Sequence, residues 1–431
     1  MASCCMEYSL KQYVAGIAQM ETPMSMIYGI VSLTFVVLAF LVFYTYIGYG
    51  LLTWVLVKLR GRRKEPGGFS LAGTPWPDVT LIVPAYNELD YLPQKLQNCL
   101  DQDYPAGRLH LLFVIEGSTD GSAAYLDSRK ADVPNLTVLS GNQRMGKVAA
   151  MNKAMRYVQT PITVFTDANT QLNKEAISRL VNWFSDEEVG AVTGEKRISV
   201  HSAEAAAGSG EGLYWRYESF LKRLDAQLHT IVGAAGELFA VRTNLYEPVE
   251  TDTLLDDFMI SLRIAGRGYR VAYAPDAYAL ERPSHSVSEE MKRKIRIATG
   301  GFQSIWRLGH LLNIFQYGWL SFQYVSHRVL RWAVTPFCLP LLLLLNLFML
   351  TQPGPLNGLP MPGFWWALFG LQTIFYLTAY VGYLLESRQT RWKLTFVPFY
   401  FVFMNWCVLL GFARFRQGNL SGMWVKAQRA V

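Results

Sequence analysis

The chain has 431 residues, 51% of them hydrophobic and 14% aromatic, with a formal net charge of +7 and a pI near 9.0. That apolar share is more than a water-soluble fold usually carries, so part of the chain belongs in lipid and a wholly soluble protein is excluded. The positive charge does not call for nucleic acid, because the cations gather beside apolar stretches, as in KLRGRRK at 58–64; anionic headgroups of a cytoplasmic leaflet are the better partner.

Five cysteines, Cys4, Cys5, Cys99, Cys338 and Cys407, show no CxxC spacing and no histidine at ligand distance, which excludes a zinc site and a disulfide framework. After an N-terminal segment (1–25), residues 26–58 are almost wholly apolar, longer than the roughly 20 residues a spanning helix needs. The basic cluster that follows places the Lys58 end in the cytoplasm. A linker rich in Pro and Gly covers 59–78.

From there to about residue 288, strand and helix patterns alternate. VTLIVPAY (79–86), LHLLFVIE (109–116) and PITVFTDA (161–168) predict buried strands. YLPQKLQNCL (91–100) and GKVAAMNKAMRYV (146–158) predict helices. This βαβαβ order implies an α/β, Rossmann-like, mostly parallel doubly wound sheet, which binds ligands at the carboxyl ends of its strands. Polar clusters stand at three such ends: Tyr86, Asn87 and Glu88; EGSTDGS at 116–122; and 167–171. Turn chemistry accounts for any one of them, but three together favour a site.

Asp167, Asn169 and Gln171 are spaced two apart, so while the chain stays extended their oxygens share one face and suit a hard divalent cation, Mg2+ or Mn2+, already held by phosphates. Helix N-capping competes with this reading, since a helix-like KEAISRLVNWF follows. Further on, Asp256 and Asp257 open another helical pattern, where capping again competes with general-base chemistry. Two adjacent like charges are expected to raise the pKa of one of them. Between these pairs, IVGAAGELFAVR (231–242) offers Gly233, Gly236 and Glu237 as acceptor-side residues, with plain tight turns as the alternative.

PAYNE (84–88), EGSTDGS, RMGKVAAMN (144–152), TDANT (166–170), LDDF (255–258) and RKIRIATGG (293–301) resemble, in order and spacing, the motifs of membrane-integrated family 2 glycosyltransferases, the group that includes cellulose, hyaluronan and poly-N-acetylglucosamine synthases. The resemblance runs over about residues 27–429 and implies a GT-A fold, a UDP-sugar donor and inversion at the anomeric carbon. By matching position, Ala85, Tyr86, Glu88 and Glu116 would line the uridine pocket, Lys147 would reach the nucleotide, Asp167 with Asn169 would hold the metal, and Asp257 would be the base. Three departures stand out. Glu116 replaces the usual Asp; DAN replaces DxD; and the QxxRW motif reads RKIRI, with Arg293 for Gln and Ile297 for Trp. Arg296 keeps a guanidinium able to grip a diphosphate leaving group, and Arg293 is expected beside donor and acceptor.

Residues 289–327 mix cations with aromatic groups and predict amphipathic helices in the headgroup plane, with Trp306, Trp319, Phe322 and Tyr324 at the interface. About three spanning segments follow within 328–415, near 329–350, 363–385 and 394–413, and a basic tail (416–431) ends the chain. The uncharged stretch 351–363 fits the outside and the basic stretch 386–393 the cytoplasm, so a third full crossing would carry Arg414, Arg416, Lys426 and Arg429 outside. Either the charge rule fails there or the segment around Pro398 does not cross.

The expected protein is a multi-pass enzyme of the plasma or inner membrane with a cytoplasmic catalytic domain. It would extend a glycan, coupled to export, or act on a lipid-linked acceptor, and accessory or oligomeric membrane partners are compatible with either. A catalytically degenerate nucleotide-binding membrane protein is the alternative outside enzymology; a transporter has too few spans.

Overall fold

The computed structural model describes residues 26–61, 63, 69, 75–198, 210–281, 287–351, 362–387 and 392–418. The expected N-terminal segment 1–25, most of the linker, most of 351–363, part of 386–393, and Lys426 and Arg429 of the tail lie outside them. The chain divides into two compact units, residues 1–48 with 333–402 and residues 49–332 with 403–431.

The larger unit is built on one eight-stranded sheet of order β3-β2-β1-β4-β7-β6-β8-β5. β1 (Val79–Ala85), β2 (Leu109–Glu116) and β4 (Ile162–Thr166) are runs of branched and aromatic residues, buried at nearly every position because the sheet is covered on both faces. β1 pairs in parallel with β2 on one side and with β4 on the other, and β2 pairs in parallel with β3 (Leu136–Gly141). The chain therefore winds outward from β1 in one direction and then returns to lay β4 on its other edge. The crevice beyond the carboxyl ends of β1 and β4 is the place where connections diverge and a ligand has room.

Past β4 the expected parallel order gives way to a mixed one. β4 pairs antiparallel with β7 (Leu238–Arg242), β7 antiparallel with β6 (Val189–Ile198), β6 parallel with β8 (Arg270–Glu281), and β8 antiparallel with the short β5 (Gln171–Leu172). Five strands were thus not legible in the sequence. β7 sits inside the glycine-rich stretch 231–242, for which acceptor-side residues or tight turns, and not a strand, are the expectation. β6 carries Gly190 and Gly194, which look like strand breakers. Each in fact clears space for a neighbour: a Cβ on Gly190 would lie 2.6 Å from Ile264, and one on Gly194 2.6 Å from the Ala277 carbonyl.

The alternation of strand side chains builds two cores. Val79, Leu81, Val83, Leu111 and Phe113 face one, while Ile82, Leu112, Val114, Phe165 and Phe239 face the other. Phe165 stacks on Phe239 with ring centroids 4.8 Å apart and on Tyr246 at 5.9 Å. The helix Val287–Arg307 belongs to this same unit. Of the residues expected at the interface, Trp306 and Trp319 are exposed, as is the nearby Phe315. Tyr324 departs from that expectation: it is fully buried, 6.3 Å from the Phe258 ring, because the chain turns inward there to pack on the sheet's second core.

In the smaller unit, Tyr28, Phe35, Leu342, Met349 and Trp365 form an apolar cluster, with Phe35 edge-on to Trp365 at 5.2 Å. Asn346 donates to Gln372 at 3.0 Å, a polar link between apolar helices. Four helices, Met26–Arg60, Trp319–Leu350, Gly363–Glu386 and Leu394–Arg416, are long and apolar enough to cross a membrane. Their outward residues, Ile30, Leu33, Leu344, Leu371 and Ile374 among them, are exposed, which in water would be unfavourable and in lipid is the expected state. Pro398 interrupts nothing, since Lys393–Arg416 is one helix around it.

Phe165→Ala should remove the stacked trio beneath β4 and cost about 3–5 kcal/mol, the range for large aromatic truncations in a core. The check is the thermal midpoint of the full-length protein in detergent; a drop no larger than that of an exposed control such as Phe315→Ala would show that the trio is not a stability element.

Candidate active site

Residues at the ends of β1, β2 and β4 meet around a first cavity lined by Ala85, Tyr86, Glu88, Glu116, Arg144, Lys147, Asp167 and Asn169. The loop after β1 is held in shape by the motif after β2. Asn87 adopts a left-handed φ of 52°. Its backbone N–H donates to Ser118 Oγ at 3.0 Å, and its side-chain oxygen accepts from Thr119 N at 2.8 Å. Asp120 accepts from Leu89 N at 2.9 Å and from Ser122 N at 3.0 Å. Much of EGSTDGS is thus spent on tying two loops together, and Glu116 is the member that faces the cavity.

Glu116 is buried, and its Oε1 accepts from Lys153 Nζ at 2.6 Å. The longer side chain is accommodated because β3 ends in glycine there: a Cβ on Gly141 would come within 2.4 Å of Glu116 Oε2. Across the cavity the Arg144 guanidinium lies 4.0 Å from the Tyr86 ring centroid, a flat cationic and aromatic pair. Neither Arg144 nor Lys153 was given a role from sequence; Arg144 opens the motif 144–152 and Lys153 falls in the predicted helix 146–158.

The chain does not stay extended through 167–171. It turns, with Thr170 Oγ1 donating to the Asp167 carbonyl at 2.9 Å, so the shared face expected from alternate spacing does not form. Asp167 and Asn169 still reach the cavity by way of the turn. Gln171 does not: it opens β5, pairs with Leu280, and lines neither cavity. Beneath the turn, buried Lys95 donates to Thr166 Oγ1 at 3.0 Å and to the Thr170 carbonyl at 2.9 Å. Burial draws its pKa down to about 8, against the opposing pull of Cys99 and Asp167.

Lys147, in the first turn of the helix Lys147–Met155, joins the two acidic motifs. Its Nζ lies 2.8 Å from Asp167 Oδ1 and 3.6 Å from Asp256 Oδ2. Burial disfavours its charge, but Asp167 and Asp256, with Asp257 beyond, outweigh that and hold it protonated. Neither Asp256 nor Asp257 caps its helix; Leu255 occupies that position and both carboxylates sit in the first turn of Asp256–Gly266. Adjacent helical positions point about 100° apart, so Asp256 turns to Lys147 while Asp257 faces Gly236, where a Cβ would lie 3.1 Å from its Oδ2.

Asp257 lines a second cavity of about 290 Å3 together with Gly233, Gly236, Glu237, Arg293, Arg296 and Ile297, and this cavity shares Lys147 and Asp167 with the first. Burial foremost, and then the Asp256 charge, raises the Asp257 pKa from 3.8 to about 7. The like-charge neighbour named from sequence is therefore the second cause and not the first. Glu237 goes the other way: burial would lift it, but Lys196, 2.6 Å away, and Arg293 bring it down to about 2. Gly233 has a φ of 91° and a Cβ there would meet Phe258 at 2.3 Å, so the fold itself demands this glycine. Arg293 is paired with Glu290 at 2.9 Å, and Arg296 reaches the Leu254 carbonyl at 3.4 Å. Lys196, Lys222, Arg328 and Trp332 also line the cavity, and nothing in their local sequence pointed to it.

Among the described residues no group of three or more His, Cys, Asp or Glu side chains is arranged to hold a metal. One carboxylate and one amide, Asp167 and Asn169, fit an ion of the Mg2+ or Mn2+ type that keeps most of its shell from phosphate and water.

A mixed sheet with its crevice at β1 and β4, carrying an acidic turn and a buried carboxylate beside a cation, defines a GT-A glycosyltransferase fold. Residues 80–248 match the glycosyl transferase family 2 model, so the chain carries a family 2 glycosyltransferase domain, and its four apolar helices fit a membrane-integrated member. The chain is 24% identical over 237 residues to a poly-β-1,6-N-acetyl-D-glucosamine synthase of Staphylococcus aureus, covering 53% of this chain and 56% of that one. It is 26% identical over 246 residues to a β-monoglucosyldiacylglycerol synthase of Synechocystis, covering 54% and 50%. The match thus spans about half the length of these curated relatives. A mannosyltransferase from Pyrobaculum calidifontis, solved in complex with GDP-Man and Mn2+, shares the fold with a TM-score of 0.69 at 22% identity, covering 90% of this chain and 99% of that one.

Gly141→Ala should push Glu116 off Lys153 and spoil the floor of the first cavity. The expected result is weaker nucleoside diphosphate binding by about 1–3 kcal/mol, the cost of disrupting a buried polar contact, measured by calorimetry on the purified protein. Unaltered affinity would take Glu116 out of the binding surface.

Proposed function

We propose that the protein is an inverting glycosyltransferase that moves a sugar from a UDP-sugar to an acceptor hydroxyl at the cytoplasmic face of a plasma or inner membrane. Residues 79–288 serve as its catalytic domain. The observation that carries this reading is Asp257: a buried carboxylate titrating at about 7, open to a cavity that adjoins the first cavity through Lys147 and Asp167. A carboxylate poised there accepts a proton well at neutral pH.

In this reading Ala85, Tyr86, Glu88 and Glu116 take the base and ribose, with Arg144 stacked on Tyr86. Lys147 neutralises diphosphate charge. Asp167 and Asn169 would hold a Mg2+ or Mn2+ ion, which when bound supplies further charge neutralisation on the diphosphate. Asp257 takes the proton of the attacking hydroxyl, Asp256 keeps Lys147 in place, and Arg296 stabilises the charge that develops on the leaving nucleotide. Arg293, Gly236 and Glu237 face the acceptor side. The basic residues Lys58 and Arg60 at the end of the first apolar helix support the cytoplasmic placement.

A growing glycan is the acceptor favoured by the staphylococcal polysaccharide synthase, and coupling of its growth to export is part of the proposal. Single transfer to a lipid-linked acceptor is the second reading, favoured by Ile297, which puts an aliphatic group in the cavity. The donor is tested with a panel of UDP- and GDP-sugars, since the Pyrobaculum calidifontis enzyme was solved with GDP-Man. Release of UDP only from UDP-sugars, dependent on Mg2+ or Mn2+ and abolished by chelator, is the expected result. Release of GDP alone, or full turnover in chelator, would overturn the donor or the metal.

Two consequences follow for Asp257. The kcat/KM of the wild type should rise with pH up to about 7 and then level off, and Asp257→Asn should lower transfer by about 10² to 10⁴-fold; a loss under about tenfold would move the base elsewhere. Because its pKa is higher in the folded protein (about 7) than in the unfolded chain (3.8), its contribution to stability is complete below about pH 4 and lost as pH rises through 7. Asp257→Asn should therefore raise the thermal midpoint relative to wild type at about pH 8 and lose that advantage at about pH 4.

A further inference from the structure

Residues 246–255, which lead into Asp256 and Asp257, form neither helix nor strand. Such a segment has no ladder to partner its peptide groups, so its shape depends on what side chains offer it. Its first half is tied to the helix that carries the two aspartates. Arg263 of that helix binds the Glu250 carboxylate at 2.7 and 2.8 Å and donates to the Pro248 carbonyl at 3.1 Å. The second half, next to the aspartates, is held instead by the helix Val287–Arg307.

Arg296, Gly300, Gln303 and Arg307 recur at intervals of four, three and four residues, so they share one face of that helix. All of them address 252–255. Arg307 Nη2 lies 2.8 Å from both oxygens of Asp252, and its Nη1 donates to Thr253 Oγ1 at 2.9 Å. Gly300 lets the segment come close: a Cβ there would lie 2.7 Å from Leu255 Cγ and 2.9 Å from Leu254 Cβ. Arg296 reaches the Leu254 carbonyl at 3.4 Å. Between them Gln303, only 2% exposed, uses both ends of its amide. Its Oε1 accepts from Leu254 N at 3.0 Å and its Nε2 donates to the Asp252 carbonyl at 3.0 Å. The helix is braced elsewhere too, since Thr299 donates to the Gly411 carbonyl at 3.3 Å and a Cβ on Gly411 would lie 2.5 Å from that of Ala298.

Gln303 lines neither cavity, so any part it takes in the reaction is taken through the segment it holds. Resting on the reading of Asp257 as the base, we infer that Gln303 is a positioning residue: by fixing 252–254 it sets where the helix Asp256–Gly266 begins and thereby aims Asp257 at the attacking hydroxyl. A helix that began one residue earlier or later would turn both carboxylates by about 100°. Asp256 would then leave Lys147, and Asp257 would leave the wall it shares with Gly236.

The test follows nucleotide release by the full-length protein in phosphatidylcholine nanodiscs, with the nucleotide sugar that the donor panel selects and with a total lipid extract and chitotriose present as acceptors. Wild type is compared with Gln303→Met, Asp257→Asn and the variant carrying both. Methionine keeps the length of glutamine and offers neither hydrogen bond. A misaimed base should lower kcat by about 10²-fold, while the donor KM and the calorimetric affinity for nucleoside diphosphate stay at their wild-type values. Because Gln303 acts through Asp257, adding Gln303→Met to Asp257→Asn should lower transfer no further. An unchanged kcat in Gln303→Met, an equal loss of nucleotide affinity, or losses that multiply in the double variant would each overturn the inference and leave the glycosyltransferase reading intact. No nucleotide release by the wild type with any sugar donor removes both. Should Gln303→Met fail to fold, Gln303→Glu, which keeps the bond to Leu254 and loses the one to Asp252, decides by the same measurements.

Discussion

One ammonium group ties the site together. Lys147 sits between Asp167, at the turn after β4, and Asp256, at the start of the helix that also carries Asp257. Without that cation two buried acidic motifs from distant parts of the chain would repel each other across a medium that screens poorly. With it, Lys147 and Asp167 form the wall common to two cavities, and Asp256 lines the second. The same contact separates roles: by engaging Asp256 it leaves the neighbouring carboxylate facing the other cavity, where burial makes its ionisation costly enough to bring it near neutrality.

The position of that junction follows from strand order. Because β4 returns to the edge of β1 opposite β2, the loops after β1 and β4 diverge and leave a crevice. The antiparallel strand β7 then brings 231–237 alongside β4, so that Gly236 and Glu237 arrive next to Asp257. A wholly parallel continuation would need a long crossover at this point and would not place that loop there.

Buried charge recurs beside the second cavity. Glu218 is shared by Arg328 and Arg331 at 2.8 Å each, and the Asp225 carboxylate accepts from Gln323 Nε2 at 3.3 Å, lies 2.5 Å from His327 Nδ1 and accepts from the Tyr49 hydroxyl. Such groups are stable in the interior only as completed networks. Here they join the helix Gly210–Leu228 to the residues at 323–331, in the same region that carries the cationic lining.

The sequence by itself determined the apolar helices, the three central strands, the helices between them and the polar clusters at strand ends, because each is written in local periodicity or in a short contiguous motif. The resemblance to family 2 glycosyltransferases rested on the same contiguous motifs. Only the tertiary structure decided that 167–171 turns, that Gln171 leaves the site, that Gly233 answers to Phe258, that Lys196, Arg328 and Trp332 line the second cavity, and that Lys153 and Lys95 support Glu116 and the turn from behind. Those residues are brought in from remote segments by strand pairing and helix packing. A lone lysine in a strand or an arginine in a helix looks the same in sequence whether it meets water or a buried carboxylate, and the difference exists only once the chain has closed around it.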